Sequence, residues 1–505
     1  MSITIPELLT TADGANIAFT APKRRPMTIE ALRDLIAATQ RQLAARGIGP
    51  SDRVAIVLPN GPEMAACFLA VASGASAAPL NPAYKDAEYE FYLADLRPKL
   101  LIVESRSGEV AAAVAARLAI PVCELEIGEN AVAGFFRLWP EEKVEVPWPT
   151  KTSEALVLHT SGTTSRPKLV PLTHANLVAS ARNIGRTLEL SPKDHCLNIM
   201  PLFHIHGLIA VVLSSVAAGA SVCCTPGFNA LRFFNWVADE KPTWYSAVPS
   251  MHQAILVRAR RNEQILNNLA LRFVRSSSAS LPPPVFRELE QTFRCPVIEA
   301  YGMTEATHQM ASNPVTHGQQ RPGSVGMAAG PEIRILDRAG LMLPVGQEGE
   351  ICIKGDNVMA GYENNPAANA ASFVDGWFRT GDQGYLDESG YLRITGRIKE
   401  IINRGGEKVS PLEVDAVLLE HPAIAQVVTF AIPDESLGEE VAVAIVLVEG
   451  TSPTAVELQN FAAKRLARFK VPKTVLFLAE LPKGPTGKVQ RIGLAKTLGL
   501  AKERL

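Results

Sequence analysis

The sequence predicts an α/β fold, with a large domain running to about Gly396 and a small α+β domain after it. Three observations point there. Apolar helix-like runs ending in Gly-Ala-Ser and followed by a short strand occur twice, at 68–80 and 211–223. From about Gly323 the texture changes to short alternating runs. From about Ile398 a mixed pattern returns.

The first repeat, Phe68-Leu69-Ala70-Val71-Ala72-Ser73-Gly74-Ala75-Ser76, matches the second, Val211-Val212-Leu213-Ser214-Ser215-Val216-Ala217-Ala218-Gly219-Ala220-Ser221. The glycine suits a left-handed helix end, and the small residues let helix and strand approach closely. Two similar α/β subdomains explain the echo; a common junction arising twice explains it as well. Either way, a largely parallel sheet covered on both faces is expected. A Pro-rich connection, Val146-Pro147-Trp148-Pro149-Thr150, leads into an apolar strand at 155–158. Runs such as Ile333-Arg334-Ile335-Leu336, Ile351-Cys352-Ile353 and Tyr391-Leu392-Arg393-Ile394 suggest antiparallel strands. In the tail, strands are expected at 426–432 and 441–448, and a helix at 453–468.

Composition narrows the function classes. The chain has 505 residues, enough for more than one domain, with 20% charged residues and 47% apolar ones. A net charge of -1 disfavours a general nucleic-acid or membrane binder. The seven cysteines are scattered, and no Cys-x-x-Cys occurs, so neither a zinc site nor a disulfide framework is supported. A reducing, cytoplasmic setting is expected. The start lacks a basic region before a long apolar one, so no signal peptide is expected. The uncharged stretch 197–231 is long enough to suggest a membrane span. Its two His, two Pro and Ala/Gly/Ser-rich break read better as loop, buried helix, turn and strand.

The most informative segment is Leu158-His159-Thr160-Ser161-Gly162-Thr163-Thr164-Ser165-Arg166-Pro167-Lys168. Backbone amides, hydroxyls and two cations in one loop suit a polyphosphate. It is not a Walker A loop, because Lys168 lies between Pro167 and Leu169. A polar surface loop has the same composition. Further along stand Tyr301-Gly302-Met303-Thr304-Glu305, Trp377-Phe378-Arg379-Thr380-Gly381-Asp382, the basic stretch from Gly396 to Lys408, and Pro482-Lys483-Gly484-Pro485-Thr486-Gly487-Lys488. Singly they read as a helix entry capped by Thr304, a hairpin turn and two solvated loops.

In this order and spacing the set resembles the acyl-CoA synthetase family of adenylate-forming enzymes, from about Met27 to Arg491. The resemblance implies an N-terminal adenylation domain (1–396) of two α/β subdomains plus a β-rich subdomain, a hinge (397–399) at Lys399, and a mobile C-terminal domain (400–505). It implies two half-reactions: carboxylate plus ATP gives acyl-adenylate and pyrophosphate, and CoA thiol then gives acyl-CoA and AMP. Thr160, Ser161, Gly162, Thr163, Thr164 and Lys168 would hold the β- and γ-phosphates. Glu305 would ligate Mg²⁺, with Thr304 near the α-phosphate. Tyr301 would lie against adenine, and Asp382 and Arg397 would reach the ribose. Lys488 would bridge the attacking carboxylate and the α-phosphate in the first step, then leave as Gly405 and Gly406 enter to line the CoA tunnel.

The acid is expected to be small and doubly charged. Phe203-His204-Ile205-His206-Gly207, Arg275-Ser276-Ser277-Ser278-Ala279-Ser280 and Glu305-Ala306-Thr307-His308 are polar where a fatty-acid tunnel would be apolar. Within the family these runs, and Ser165 in the phosphate loop, are most similar to oxalate–CoA ligases, which makes His204, Ser278 and His308 the candidates for the carboxylate that is not adenylated; His206 reads as structural. Two departures stand out. Leu169 occupies a usual glycine position, so a different loop exit or a weaker phosphate grip is expected, since Leu resists positive φ. Gly302 stands where those ligases carry Ala. Glycolate, glyoxylate or malonate are the alternative acids. Other readings are a free-standing adenylation domain loading a carrier protein, a luciferase-like oxygenase, or a non-catalytic nucleotide sensor. The last would be expected to lack Lys488 or Glu305, and both are present.

Overall fold

Apolar strands alternating with helices build two large sheets in the first 330 residues or so of this computed structural model. It describes residues 3–104, 107–140, 142–160, 167–482 and 491–501. Ser161, Gly162, Thr163, Thr164, Ser165 and Lys488 lie outside them.

The six-stranded sheet has the order Val122–Glu124, Leu100–Val103, Arg53–Val57, Ser76–Pro79, Glu154–Thr160, Lys168–Thr173. All its pairs are parallel except the last, where the phosphate-loop candidate connects two antiparallel strands. The nine-stranded sheet has a parallel centre, which includes His195–Asn198, Trp244–Ala247, Phe273–Ser276 and Val297–Met303. Several of these strands are buried from end to end, as expected when helices cover both faces. Beyond Val297–Met303 the chain reverses, and His308–Ser312 pairs with it antiparallel.

The alternating runs become a five-stranded antiparallel sheet containing Glu332–Leu336, Gly349–Lys354, Trp377–Leu386 and Leu392–Arg397. A second five-stranded sheet follows, centred on the long hairpin Ile424–Asp434 and Gly438–Leu447. The helix expected at 453–468 runs from Ala455 to Ala463. Thr454 caps it, and the Glu457 carboxylate accepts from the Thr454 N–H at 2.7 Å, which leaves Pro453 outside. At its other end Leu466 N–H folds back onto the Ala462 carbonyl.

The repeated junction is present, with a difference. The first copy is the α-helix Pro62–Ala72 followed by Ser76–Pro79. The second helix is wound as a π-helix over His206–Leu213 before Ser214–Ala217 and Ser221–Cys224. Gly219 has φ +74° as expected. Gly74 is not left-handed; an added Cβ would sit 3.0 Å from Gln40 Cγ, so close packing selects it. The uncharged stretch 197–231 is strand, buried helix and strand, and among the described residues no helix is long and apolar enough to cross a membrane. All seven cysteines are free and buried, and burial raises the thiol pKa values of six of them, so those resist ionisation. The seventh, Cys352, is pushed up to about 12 in the same way.

Candidate functional site

Thr160 and Lys168 are cross-strand neighbours, so the hairpin that carries the phosphate-loop candidate closes between them. Leu169 is an ordinary extended strand residue, paired with His159 and buried in the adjoining core. Extended backbone accepts Leu at this position without strain; residues 161–166, where an altered loop exit would show, lie outside the described residues. Lys168 Nζ lies 4.1 Å from the centre of the Tyr362 ring, and the Tyr362 hydroxyl donates to Glu305 Oε1 at 2.8 Å. One aromatic ring thus links the loop cation to the candidate metal ligand. Burial lowers the Lys168 pKa against the pull of Glu305, and Lys399 lowers it further. Burial also raises the Glu305 pKa; the Glu305 backbone and the Tyr362 hydroxyl oppose it.

Thr304–Ala306 is a short 3₁₀ turn directly after the strand Val297–Met303. Thr304 lies inside the turn, and Met303 holds the cap position, so the expected Thr304 cap is not formed. Thr307 and His308 then take left-handed backbone, with φ of 50° and 92°. Asn357 holds them there: its Nδ2 donates to the Ala306 and Gln309 carbonyls, and its carbonyl accepts from Thr307 Oγ1. Non-glycine residues kept at positive φ by such clamps mark places where a fixed geometry is required.

Asp382 sits within the strand Trp377–Leu386, where an isolated turn was expected. Gly381, at φ +74°, kinks the strand without ending it. Asp382 faces Arg397 across the antiparallel pair, and Arg397 Nε donates to its Oδ1 at 3.1 Å. Its other oxygen accepts from the Tyr301 hydroxyl. Burial raises the Asp382 pKa despite both partners, while the Asp382 charge raises that of Arg397. Tyr301, Asp382 and Arg397 therefore meet, although the sequence separates them widely.

On the acid side, His204 and Ser278 are half-buried and His308 is buried. Ser278 has φ 72°, and its Oγ lies 3.1 Å from His206 Nδ1. The His206 and His308 rings are 4.9 Å apart. The segment from Tyr301 to His308 thus runs from the Asp382 side to the Ser278 side.

Other candidates lie apart. Lys399 is exposed in the turn after Leu392–Arg397. Gly405 and Gly406 form the exposed left-handed tip of the hairpin Ile402–Arg404 and Glu407–Val409. Among the described residues no hydrogen bond or ion pair ties that tip to the groups above. Two contributors escaped the sequence reading. Tyr362 carries no local signal. Arg275 has one in retrospect: a lone cation inside the apolar strand Phe273–Ser276.

Among the described residues no three His, Cys, Asp or Glu side chains cluster as a protein-only metal cage. A buried carboxylate joined through Tyr362 to Lys168 suits a hard cation that takes its remaining oxygens from a nucleotide, so Glu305 fits Mg²⁺.

Comparison with known proteins agrees with this layout. Residues 11–363 match the AMP-binding enzyme family, and residues 413–488 match the AMP-binding enzyme C-terminal domain. The chain is 46% identical to an oxalate–CoA ligase of Arabidopsis thaliana, over 94% of this chain and 96% of that protein. It is 42% identical to an oxalate–CoA ligase of Saccharomyces cerevisiae, over 88% and 87%. The ATP-bound structure of MatB from Rhodopseudomonas palustris superposes with a TM-score of 0.90 at 29% identity, covering 98% of this chain and 99% of that one.

Proposed function

Because the chain belongs to the AMP-binding enzyme family, we propose that it is an ATP-dependent, AMP-forming acid–CoA ligase whose acid is oxalate. One observation carries this reading. The segment from Tyr301 to His308 passes from buried Asp382, which Arg397 holds from the solvent side, through Glu305, to the wall formed by Ser278 and His308. A nucleotide and a small polar acid then sit at opposite ends of one clamped stretch.

In the first step a carboxylate oxygen of oxalate attacks the α-phosphorus of ATP, and pyrophosphate leaves. No base is needed, because the acid is ionised at neutral pH. The difficulty is bringing two anions together, which cations and fixed donors relieve. Lys168 and the 160–168 loop hold the outer phosphates. Asp382 and Arg397 hold the ribose, Tyr301 lies on adenine, and Lys488 bridges carboxylate and α-phosphate. His204, Ser278 and His308 bind the second carboxylate and so turn the first toward phosphorus. When bound, Mg²⁺ would neutralise charge on the phosphates, with Glu305 as the protein group that would hold it; Thr304 would lie near the α-phosphate. In the second step the CoA thiol sulfur attacks the acyl carbon, and the C–O bond to AMP breaks.

The two steps need different groups at one place. The segment after residue 396 rotates about 397–399, with Lys399 at the pivot. Lys488 withdraws, and Gly405 and Gly406 come in along the pantetheine. A cytoplasmic location fits seven reduced cysteines. The test is pyrophosphate release with CoA across two- to four-carbon acids and diacids. Oxalate preferred over acetate, glycolate, glyoxylate and malonate, with the preference lost in His308→Ala, supports the reading. Equal use of acetate refutes it.

A further inference from the structure

Arg275 is completely buried, and among the described residues no carboxylate pairs with it. Its Nε has no hydrogen-bond partner. A buried, uncompensated guanidinium is costly, and burial pushes its pKa down to about 10. What it does contact is ordered. Nη2 donates to Gln309 Oε1 at 3.3 Å. Gln309 is held in that orientation because its Nε2 donates to Thr187 Oγ1 and the Ala329 carbonyl. Nη1 lies 3.3 Å from His206 Nε2 and 3.4 Å from Ser246 Oγ. Ser246 is its neighbour in register on the adjacent strand, and Ser246 Oγ is 2.6 Å from the same His206 nitrogen.

One directed arrangement of protons satisfies these contacts. A guanidinium can only donate, so His206 Nε2 accepts. Ser246 accepts from Arg275 and donates its own proton to Nε2. Nε2 has a single lone pair, which the 2.6 Å contact with Ser246 fills while Arg275 lies against it, and this arrangement puts the His206 proton on Nδ1. Nδ1 then donates to Ser278 Oγ, 3.1 Å away. Ser278, held at positive φ, has its lone pair engaged and its O–H left to donate outward.

We propose that Arg275, Ser246 and His206 form a directed donor chain that polarises the Ser278 hydroxyl toward the second carboxylate of a dianionic acid. The chain rests on the oxalate reading for its substrate. Arg275 and His206 are positioning residues; Ser278 makes the contact. The cation stays unpaired until a dianion arrives, so the chain favours an acid with a second charge over one of the same size with an aldehyde there. In a low-dielectric site that charge is felt through the chain.

The experiment compares kcat/KM for oxalate with that for glyoxylate, which has the same two carbons and one charge fewer. Arg275→Met and His206→Gln are expected to lower the oxalate:glyoxylate ratio about tenfold or more, through the KM for oxalate, while the KM for ATP holds. His206→Asn, whose amide can replace Nδ1 as donor to Ser278, is expected to keep most of the ratio; the Gln amide reaches toward Nε2 and cannot. Thermal melting and ATP binding check folding. If Arg275→Met does not fold, the His206 pair decides alone. An unchanged ratio in a folded Arg275→Met, or equal ratios in His206→Asn and His206→Gln, overturns the chain. A wild-type enzyme that prefers another diacid sinks the oxalate reading but not the chain, which is then tested on that diacid against its half-aldehyde. A wild-type enzyme that prefers monoacids sinks both.

Discussion

Gly302 lies against the backbone of His308 so closely that a Cβ added at 302 would sit 2.2 Å from the His308 carbonyl oxygen. The strand pairing shifts register between Tyr301 and Gly302, and this bulge places His308 beside His206. Gly302→Ala therefore pushes His308 outward. The expected cost is about 1–3 kcal/mol of stability, as in other overpacked sites. Melting curves of Gly302→Ala and wild type are the check.

Glu305 sets stability against activity. Its folded pKa is raised by burial above the unfolded value of 4.5. Below the unfolded value the carboxyl is neutral in both states and costs nothing. As pH rises through the folded value, the buried anion removes stability. Glu305→Gln keeps the acceptor for Tyr362, so the free enzyme should melt higher than wild type at neutral pH. That gain should vanish as pH falls below the ordinary carboxylate range. Activity should fall by about 10²–10³-fold. Melting curves across pH, paired with turnover, check both halves.

Asp382 accepts from Tyr301 and Arg397 at once. Asp382→Asn replaces one acceptor oxygen with a donor facing donors. The KM for ATP should rise about ten- to a hundredfold, since hydrogen bonds to a charged group are lost. The KM for the acid should change little. ATP titration of both enzymes by calorimetry is the check.

Tyr362 separates two functions in one side chain. Tyr362→Phe keeps the ring under Lys168 and removes the hydroxyl from Glu305. It should weaken Mg²⁺ dependence more than ATP affinity. Lys168→Met should do the reverse, with a roughly tenfold rise in the KM for ATP, as expected for a lost charge-assisted contact. Metal titrations at fixed ATP distinguish the two.

Much of this architecture is legible in the sequence because its signals are local. Apolar runs at 155–158 and 441–448 announce strands, and the helix expected at 453–468 is present in shorter form as Ala455–Ala463. The misreadings share a cause, which is tertiary context. Asp382 looks like a turn residue because Gly381 precedes it, yet the strand runs on through it and pairs it with Arg397. Leu169 looks disruptive at a glycine position until its backbone proves extended. The donor chain joins Arg275 and Ser278, three residues apart, to Ser246 on the next strand and His206 on a helix, so no window of sequence contains all of it. Tyr362 meets Glu305 only because the chain returns after the clamp at Asn357.

Lys488 is assigned to the first step alone. Lys488→Ala should abolish formation of the adenylate from acid and ATP, a loss of at least about 10²-fold for a cation at the reacting charges. Conversion of supplied oxalyl-adenylate to the thioester should persist. Rapid-quench assays of the separate half-reactions read this directly, and equal loss in both would remove the assignment.

The most direct measurement follows an oxygen atom. With [¹⁸O]oxalate, ATP, Mg²⁺ and CoA, attack of the acid on the α-phosphorus must carry one oxalate oxygen into AMP, visible as a shifted ³¹P resonance of AMP. Label in AMP, with unlabelled pyrophosphate and oxalyl-CoA formed in equal amount, is the expected result. AMP without label, or label in orthophosphate with ADP as co-product, would contradict activation of oxalate as a mixed anhydride with AMP.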